Sequence, residues 1–289
     1  MLFKRLSGFT KKGIALAIFV GALPFLVCAS AYAQESSETE NKWLDDYHQH
    51  VGLTYGVEGT INANYLWRGL YCGGLSMQVD ANVGYGGLYL DMWWNVGATD
   101  WTFTHFLPEL DLSLGFNRWG VNIYLLYIHN FNCGFFDFNN YTSRGNRLEL
   151  DVRYTISSKL PLSFLWATRV SAADGYLDEH GNVVRAWSSY AEISYKHRFA
   201  YDISLYGAIG ITPWRSCYTG YQRGFAVQTL ELRLRKDWSL STHCGMMLQG
   251  VFVINPSALA ANKTTAEWHP SDPGRQSINA NIALGFYLK

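Results

Sequence analysis

From Ile278 to Leu288 the chain reads INANIALGFYL: Ile278, Ala280, Ile282, Leu284, Phe286 and Leu288 share one parity, Asn279 and Asn281 the other. A period of two belongs to a β-strand, whose side chains point alternately to opposite faces. The same parity recurs along most of the chain. Tyr55, Val57, Ile61, Ala63, Tyr65 and Trp67 alternate with Glu58, Thr60, Asn62, Asn64 and Arg68. Leu75, Met77, Val79, Ala81, Val83 and Tyr85 alternate with Ser76, Gln78, Asp80 and Asn82, and the turn pair Gly86–Gly87 then leads into Leu88, Leu90, Met92, Trp94 and Val96. Further strands are predicted at Leu110–Phe116, Val121–Phe131, Leu148–Ile156, Leu162–Ser171, Trp187–Phe199, Tyr201–Ile211, Leu230–Leu234 and Thr242–Ile254. With the last, that makes about twelve.

Alternation shows that one face is apolar, not what covers it. Composition narrows the choice. Aromatic residues make up 16% of the chain and charged residues also only 16%. That surface is too apolar for an ordinary secreted domain, yet beyond the N-terminus no run approaches the ~20 apolar residues of a spanning helix. A transmembrane β-barrel resolves the conflict, because closure satisfies every strand edge within the bilayer. The connections sort accordingly. Those after the second, fourth, sixth, eighth and tenth strands are short, such as Gly86–Gly87 and Arg118–Gly120. Those between are long: Thr99–Pro108, Asn132–Asn146, Ala172–Ala186, Thr212–Gly224 and Asn255–Gln276. Short turns on one side and long loops on the other mark an all-β, antiparallel, up-and-down barrel of the outer-membrane type. On this reading Ile61, Ala63, Tyr65 and Trp67 face lipid, and Arg68 faces the lumen near the outer rim.

The N-terminus reads as a secretory signal peptide over residues 1–33. Lys4, Arg5, Lys11 and Lys12 precede the uncharged run Gly13–Ser30, and Ala31-Tyr32-Ala33 fits the small-x-small cleavage pattern. Its removal leaves 19 of the 23 basic residues against 23 acidic ones, a net charge of −4, which excludes a nucleic-acid-binding balance. Residues 34–53 read as a periplasmic leader, either disordered or a short helix or plug with Trp43, Leu44, Tyr47 and Val51 on one face. The barrel proper then occupies 54–289.

Four segments in order carry a resemblance to a family: NYLWRGLY (Asn64–Tyr71), a strand bearing Asp80, YGGLYLDMWWNVG (Tyr85–Gly97), and ELDLSLGF (Glu109–Phe116). They resemble the Gcw-chp family of uncharacterised Gram-negative envelope proteins. The resemblance covers roughly Val51–Phe131 and departs from the family pattern at Tyr71-Cys72-Gly73. It implies an envelope location and a barrel, and no activity.

Little in the chain points to reaction chemistry. His48 and His50 form an H-x-H pair in the leader. His129 lies near the top of the fifth strand and His243 near the bottom of the eleventh, neither beside a serine or carboxylate at a spacing that forces contact. The stretch DGYLDEHGN (Asp174–Asn182) has scattered oxygens but not a calcium-loop spacing, and reads as a polar turn. The chain is therefore read as a non-enzyme with no cofactor and no metal; an outer-membrane lipid-modifying enzyme is the least favoured alternative.

The inward parity is richer. Candidate lumen-lining charges are Glu58, Arg68, Asp80, Asp91, Glu109, Asp111, Arg147, Glu149, Asp151, Arg153, Lys196, Arg198, Glu231, Arg233 and Arg235. Glu58, Asp80 and Asp91 fall on adjacent strands at similar depth; Arg153, Lys196, Arg198, Arg233 and Arg235 fall at the periplasmic ends of the sixth, eighth and tenth strands. Acids thus line one wall and bases the other. With water between the walls, the lumen is a narrow passive channel for small polar solutes. With side chains meeting across it, the barrel is closed and structural or assembly-related. Expected partners are outer-membrane lipid, the barrel assembly machinery and small polar solutes.

The mature cysteines are Cys72, Cys133, Cys217 and Cys244. The first three fall on the long-loop side and Cys244 near the short-turn side. A spanning strand thus separates Cys244 from the others, far beyond the ~7 Å limit between the Cα atoms of a disulfide. At most one bridge is expected, among Cys72, Cys133 and Cys217.

Overall fold

The computed structural model describes residues 52–98, 106–131, 133–138, 146–171, 174–221, 224–261 and 277–288. The signal peptide, almost all of the leader with its His48 and His50, and parts of the long loops lie outside the described residues. The strands are β1 (Leu53–Asn62), β2 (Tyr65–Trp67), β3 (Leu70–Gly73), β4 (Ser76–Tyr85), β5 (Leu88–Ala98), β6 (Phe106–Arg118), β7 (Val121–His129), β8 (Arg147–Thr155) and β9 (Leu162–Arg169). They continue as β10 (Gly175–Leu177), β11 (Val183–Arg185), β12 (Ser189–Phe199), β13 (Ile203–Thr212), β14 (Ala226–Ser239), β15 (Cys244–Ile254) and β16 (Ile278–Leu288). A short helix α1 (Pro256–Ala261) follows β15.

Twelve of these strands close into one antiparallel barrel in the order β1-β16-β15-β14-β13-β12-β9-β8-β7-β6-β5-β4, β4 pairing back to β1. The remaining four form two small hairpins, β2–β3 and β10–β11. Among the described residues no helix is long and apolar enough to cross a membrane. Parity fixes each strand's rotation. In the register Glu58↔Asp80, Asn82↔Asp91 and Asp91↔Ser113 the polar residues share the inside. On the other parity Leu53, Leu88, Leu114 and Ile282 are 67%, 62%, 63% and 64% exposed, while Asn95, Ser113, Asp151 and Asn279 are buried. An apolar outside around a polar inside has lipid as its complement.

Turn chemistry holds the short side. Tyr85-Gly86-Gly87-Leu88 and Arg118-Trp119-Gly120-Val121 each have positive φ at both central residues (63° and 98°, 57° and 79°). This is the type I′ geometry that matches strand twist. The long side carries the hairpins and α1.

One expectation is overturned. The first strand does not run on to Arg68; it ends at Asn62, and Tyr65 and Trp67 turn inward, away from lipid. Asparagine side chains divert it. Asn281 donates to Asn62 Oδ1 (2.9 Å) and accepts from the Asn64 backbone N–H (2.9 Å), while Asn64 Nδ2 donates to the Ala280 carbonyl (2.6 Å). The Ala63 N–H still donates to the Ile282 carbonyl (2.9 Å); beyond it these side-chain bonds replace strand pairing, and the chain folds into the lumen as hairpin β2–β3.

All four described cysteines are free. Cys244 pairs in register with Leu288 on the outward face at the turn side. Thiol labelling of the denatured, unreduced protein lacking residues 1–33 should count four thiols; counting two or fewer would place a bridge that this fold does not contain.

Candidate functional site

The hairpin β2–β3 crosses the barrel. Its turn is Trp67-Arg68-Gly69-Leu70, with φ of +47° at Arg68 and +79° at Gly69, again type I′. A non-glycine residue at positive φ costs on the order of 1–3 kcal/mol and persists only where its surroundings hold it. Arg68 is held on several sides. Its guanidinium contacts Glu149 Oε1 at 2.6 Å and Asp151 Oδ2 at 2.7 Å, both carboxylates pointing inward from β8. It also donates to the Tyr218 hydroxyl, and lies 4.7 Å from the Trp67 ring centroid and 5.0 Å from that of Tyr190. Tyr218 comes from the loop after β13 and donates to Glu149 Oε2 (3.0 Å). Burial pushes its phenol well above the ordinary value, so it remains a donor. Arg169, inward on β9 opposite Glu149, stacks over Tyr218 at 5.6 Å.

The rest of the hairpin is fixed as well. Tyr65 donates to Glu109 Oε1 (2.6 Å) and leans on Trp93 (5.3 Å between centroids). Asn255 Nδ2 donates to the Gly69 carbonyl (3.1 Å). A Cβ on Gly69 would come within 2.3 Å of the Gln228 carbonyl oxygen, so the turn abuts the wall at β14. Anchored to β6 at one end and to β8 and β14 at the tip, the hairpin spans the lumen.

Below it, toward the short turns, lies a chamber of about 1020 Å³. Asn64, Tyr65, Leu66 and Trp67 form its ceiling, and Ser157, Ser158 and Lys159 of the β8–β9 turn line its mouth. Asp80, Asp91 and Asp111 line it from β4, β5 and β6; Arg153, Lys196, Arg198 and Arg233 line it from β8, β12 and β14. Tyr89, Trp93, Tyr124 and Tyr206 fill the wall between, with Gln78, Asn82, Asn117, Asn122 and Gln249. A lining of amides, phenols and both signs of charge suits a hydrated polar solute better than an apolar one.

The charged residues singled out from sequence therefore fall into three groups. Asp80, Asp91, Asp111, Arg153, Lys196, Arg198, Glu231 and Arg233 line the chamber. Arg68, Glu149, Asp151 and Glu109 hold the hairpin, and Arg147 lies within electrostatic reach of Glu109. Glu58 and Arg235 do neither. Arg235 bridges Glu58 (2.8 Å) and Asp237 (2.9 Å) in an ion cluster. Glu58 still stands beside Asp80 in register, but its charge is taken up by Arg235, because the closing strands β16 and β15 bring it within reach of β14. Within the chamber Arg233 pairs with Glu231, and Arg198 pairs with Asp202 of the β12–β13 turn (2.9 Å).

Sequence parity alone does not single out Tyr65, Arg169, Tyr190 or Tyr218. Arg169 and Tyr190 are on the inward parity of their strands; Tyr218 is in a loop and carries no local signal. The polar stretch after Arg169 also behaves differently from a plain turn. Asp178 accepts from the His180 and Asn182 backbone N–H groups at a hairpin tip. Asp174, though, is buried and accepts from the Ser188 backbone (2.6 Å) and Tyr221 (3.1 Å). His129 lies on the outward parity at the long-loop rim, its Nδ1 2.6 Å from Asn146 Oδ1.

No family model and no curated protein matches the chain. Among solved structures, the NanC porin is 10% identical with a TM-score of 0.47, covering 82% of this chain and 100% of its own. The KdgM porin is 9% identical with a TM-score of 0.42, over 81% and 98%. An outer membrane channel from Pseudomonas putida F1 is 11% identical with a TM-score of 0.44, over 88% and 99%. The barrel architecture of this chain stands on its own strand pairing.

Proposed function

We propose that this chain is an outer-membrane barrel of a Gram-negative bacterium, inserted by the barrel assembly machinery, that passes small polar solutes through a lumen constricted by hairpin β2–β3. The observation that carries this reading is the charged chamber of about 1020 Å³ inside a closed wall, capped by a hairpin that is not part of that wall. A structural wall needs no water-lined cavity, and lumen charges kept hydrated favour ions and polar solutes. Kinship with the Gcw-chp envelope proteins, proposed on NYLWRGLY, would put the Arg–Gly of that motif at the constriction.

A closed structural barrel is the second reading, favoured by the buried Arg68–Glu149–Asp151 contacts. Reconstitution of the refolded protein in a planar bilayer decides between them. Small discrete current steps are expected from preparations whose unboiled gel mobility shows a folded barrel. Folded protein that gives no steps at any voltage, with the hairpin present or deleted, is a closed barrel.

A further inference from the structure

Two triplets of inward residues face each other in the chamber. Register aligns Asp80 with Trp93 and Trp93 with Asp111, so one rung across β4, β5 and β6 reads carboxylate, indole, carboxylate. Register also aligns Lys196 with Tyr206 and Tyr206 with Arg233, so a rung across β12, β13 and β14 reads ammonium, phenol, guanidinium. The central strands of these rungs, β5 and β13, are six places apart in the ring of twelve and hence diametrically opposite. All six residues line the same cavity.

Each rung has the makeup of a charge-recognition site. An ammonium group over Trp93 would meet an aromatic face and a carboxylate on either side, the arrangement that binds amines. Asp111 Oδ1, and Asn82 Oδ1 two residues along β4 from Asp80, are buried and accept no hydrogen bond from the described residues. On the other wall, Glu231 takes the Nε and one Nη of Arg233. That fixes the orientation of a group with five donors, and Lys196 adds a second positive charge two strands away. The Tyr206 hydroxyl donates to Glu192 (2.6 Å), which holds its ring between the two cations.

We propose that the facing rungs form a binding site for short zwitterionic peptides, the amino end at Asp80–Trp93–Asp111 and the carboxylate end at Lys196–Tyr206–Arg233. A free cation or anion would be attracted by one wall and repelled by the other. A solute carrying both charges is drawn by both, and the second contact becomes intramolecular once the first is made. Spacing sets the length. A twelve-stranded barrel has a backbone diameter of roughly 23 Å, and side chains from both walls leave on the order of 10 Å. An extended chain advances about 3.3–3.6 Å per residue, so about three residues bridge the gap.

This deepens the channel reading and rests on the same hydrated lumen, yet binding can be measured without transport. Trialanine is titrated into the full folded barrel in detergent by calorimetry, beside N-acetyl-trialanine amide, which has the same length and no charges. At least tenfold tighter binding of trialanine is expected, and Asp80→Asn with Asp111→Asn should remove most of that preference. Equal affinity for the two peptides, or no binding of either, overturns the proposal even if the barrel conducts ions. A barrel that binds trialanine selectively but never conducts overturns the channel reading and leaves the site standing. Because wild-type protein alone gives the peptide comparison, a variant that fails to fold does not obscure the answer.

Discussion

Arg68→Ala should convert a low-conductance barrel into one with current steps several-fold larger. The substitution takes a counter-ion from two buried charges. Glu149 and Asp151 are 1% and 0% exposed, and Arg68 is their shared counter-ion at 2.6 and 2.7 Å. Removing one partner of a buried ion pair costs about 3–5 kcal/mol, because the remaining charge stays desolvated. Withdrawal of the hairpin and hydration of both carboxylates relieves that cost. The barrel ladder is untouched, since Arg68 lies outside all twelve wall strands, so gel mobility of the folded form should not change. Arg68→Lys should fall between, keeping the charge but losing the planar fork that reaches two carboxylates at once. Arg68→Met combined with Asp151→Asn should stay closer to wild type than Arg68→Ala, because Glu149 keeps Arg169, which faces it in register, and no charge is left orphaned. Single-channel recording in planar bilayers measures all four proteins. Identical conductance in wild type and Arg68→Ala would mean that the hairpin is not the constriction.

The barrel wall is legible in the sequence because a period of two is a local property. Ile278–Leu288 and Val121–His129 show their inward and outward faces without reference to any other strand. The hairpin is less legible for an instructive reason: parity continues unbroken from Ile61 through Ala63, Tyr65 and Trp67 while the chain bends inward. What diverts it is Asn281, more than two hundred residues away, and no local pattern records that contact. A weaker signal is present. Leu66-Trp67 and Leu70-Tyr71 flank Arg68-Gly69, and a residue–glycine pair between two apolar pairs is the pattern of a two-residue turn. Glu149 and Asp151 are on inward parity, but which cation reaches them depends on that turn. Tyr218 and Asn255 join the site only through loop placement, which tertiary packing decides. Glu58 shows the limit from the other side. Its parity is plain, but its pairing with Arg235 follows from barrel closure, which brings the first wall strand within three places of β14.

A second route to the open state leaves every charge in place. Gly69→Val should raise conductance to a level similar to that of Arg68→Ala. Gly69 has φ of +79°, where a β-branched residue is strongly disfavoured. Strain of that kind costs on the order of 1–3 kcal/mol. Space adds to conformation. A Cβ at this position would be 2.3 Å from the Gln228 carbonyl oxygen and 2.7 Å from Thr229 Oγ1. The hydroxyl could rotate away, but the carbonyl belongs to the wall beside the register shift in the β13–β14 pairing and cannot yield without disturbing the ladder. The tip must therefore back out, and the Asn255 bond to the Gly69 carbonyl is lost with it. Arg68 would then leave Glu149 and Asp151 as a consequence of the shift, not as its cause. Agreement between the valine and alanine variants assigns the constriction to the seated hairpin as a body. If Arg68→Ala opens the barrel and Gly69→Val does not, the guanidinium itself obstructs the lumen and the hairpin backbone is only its support.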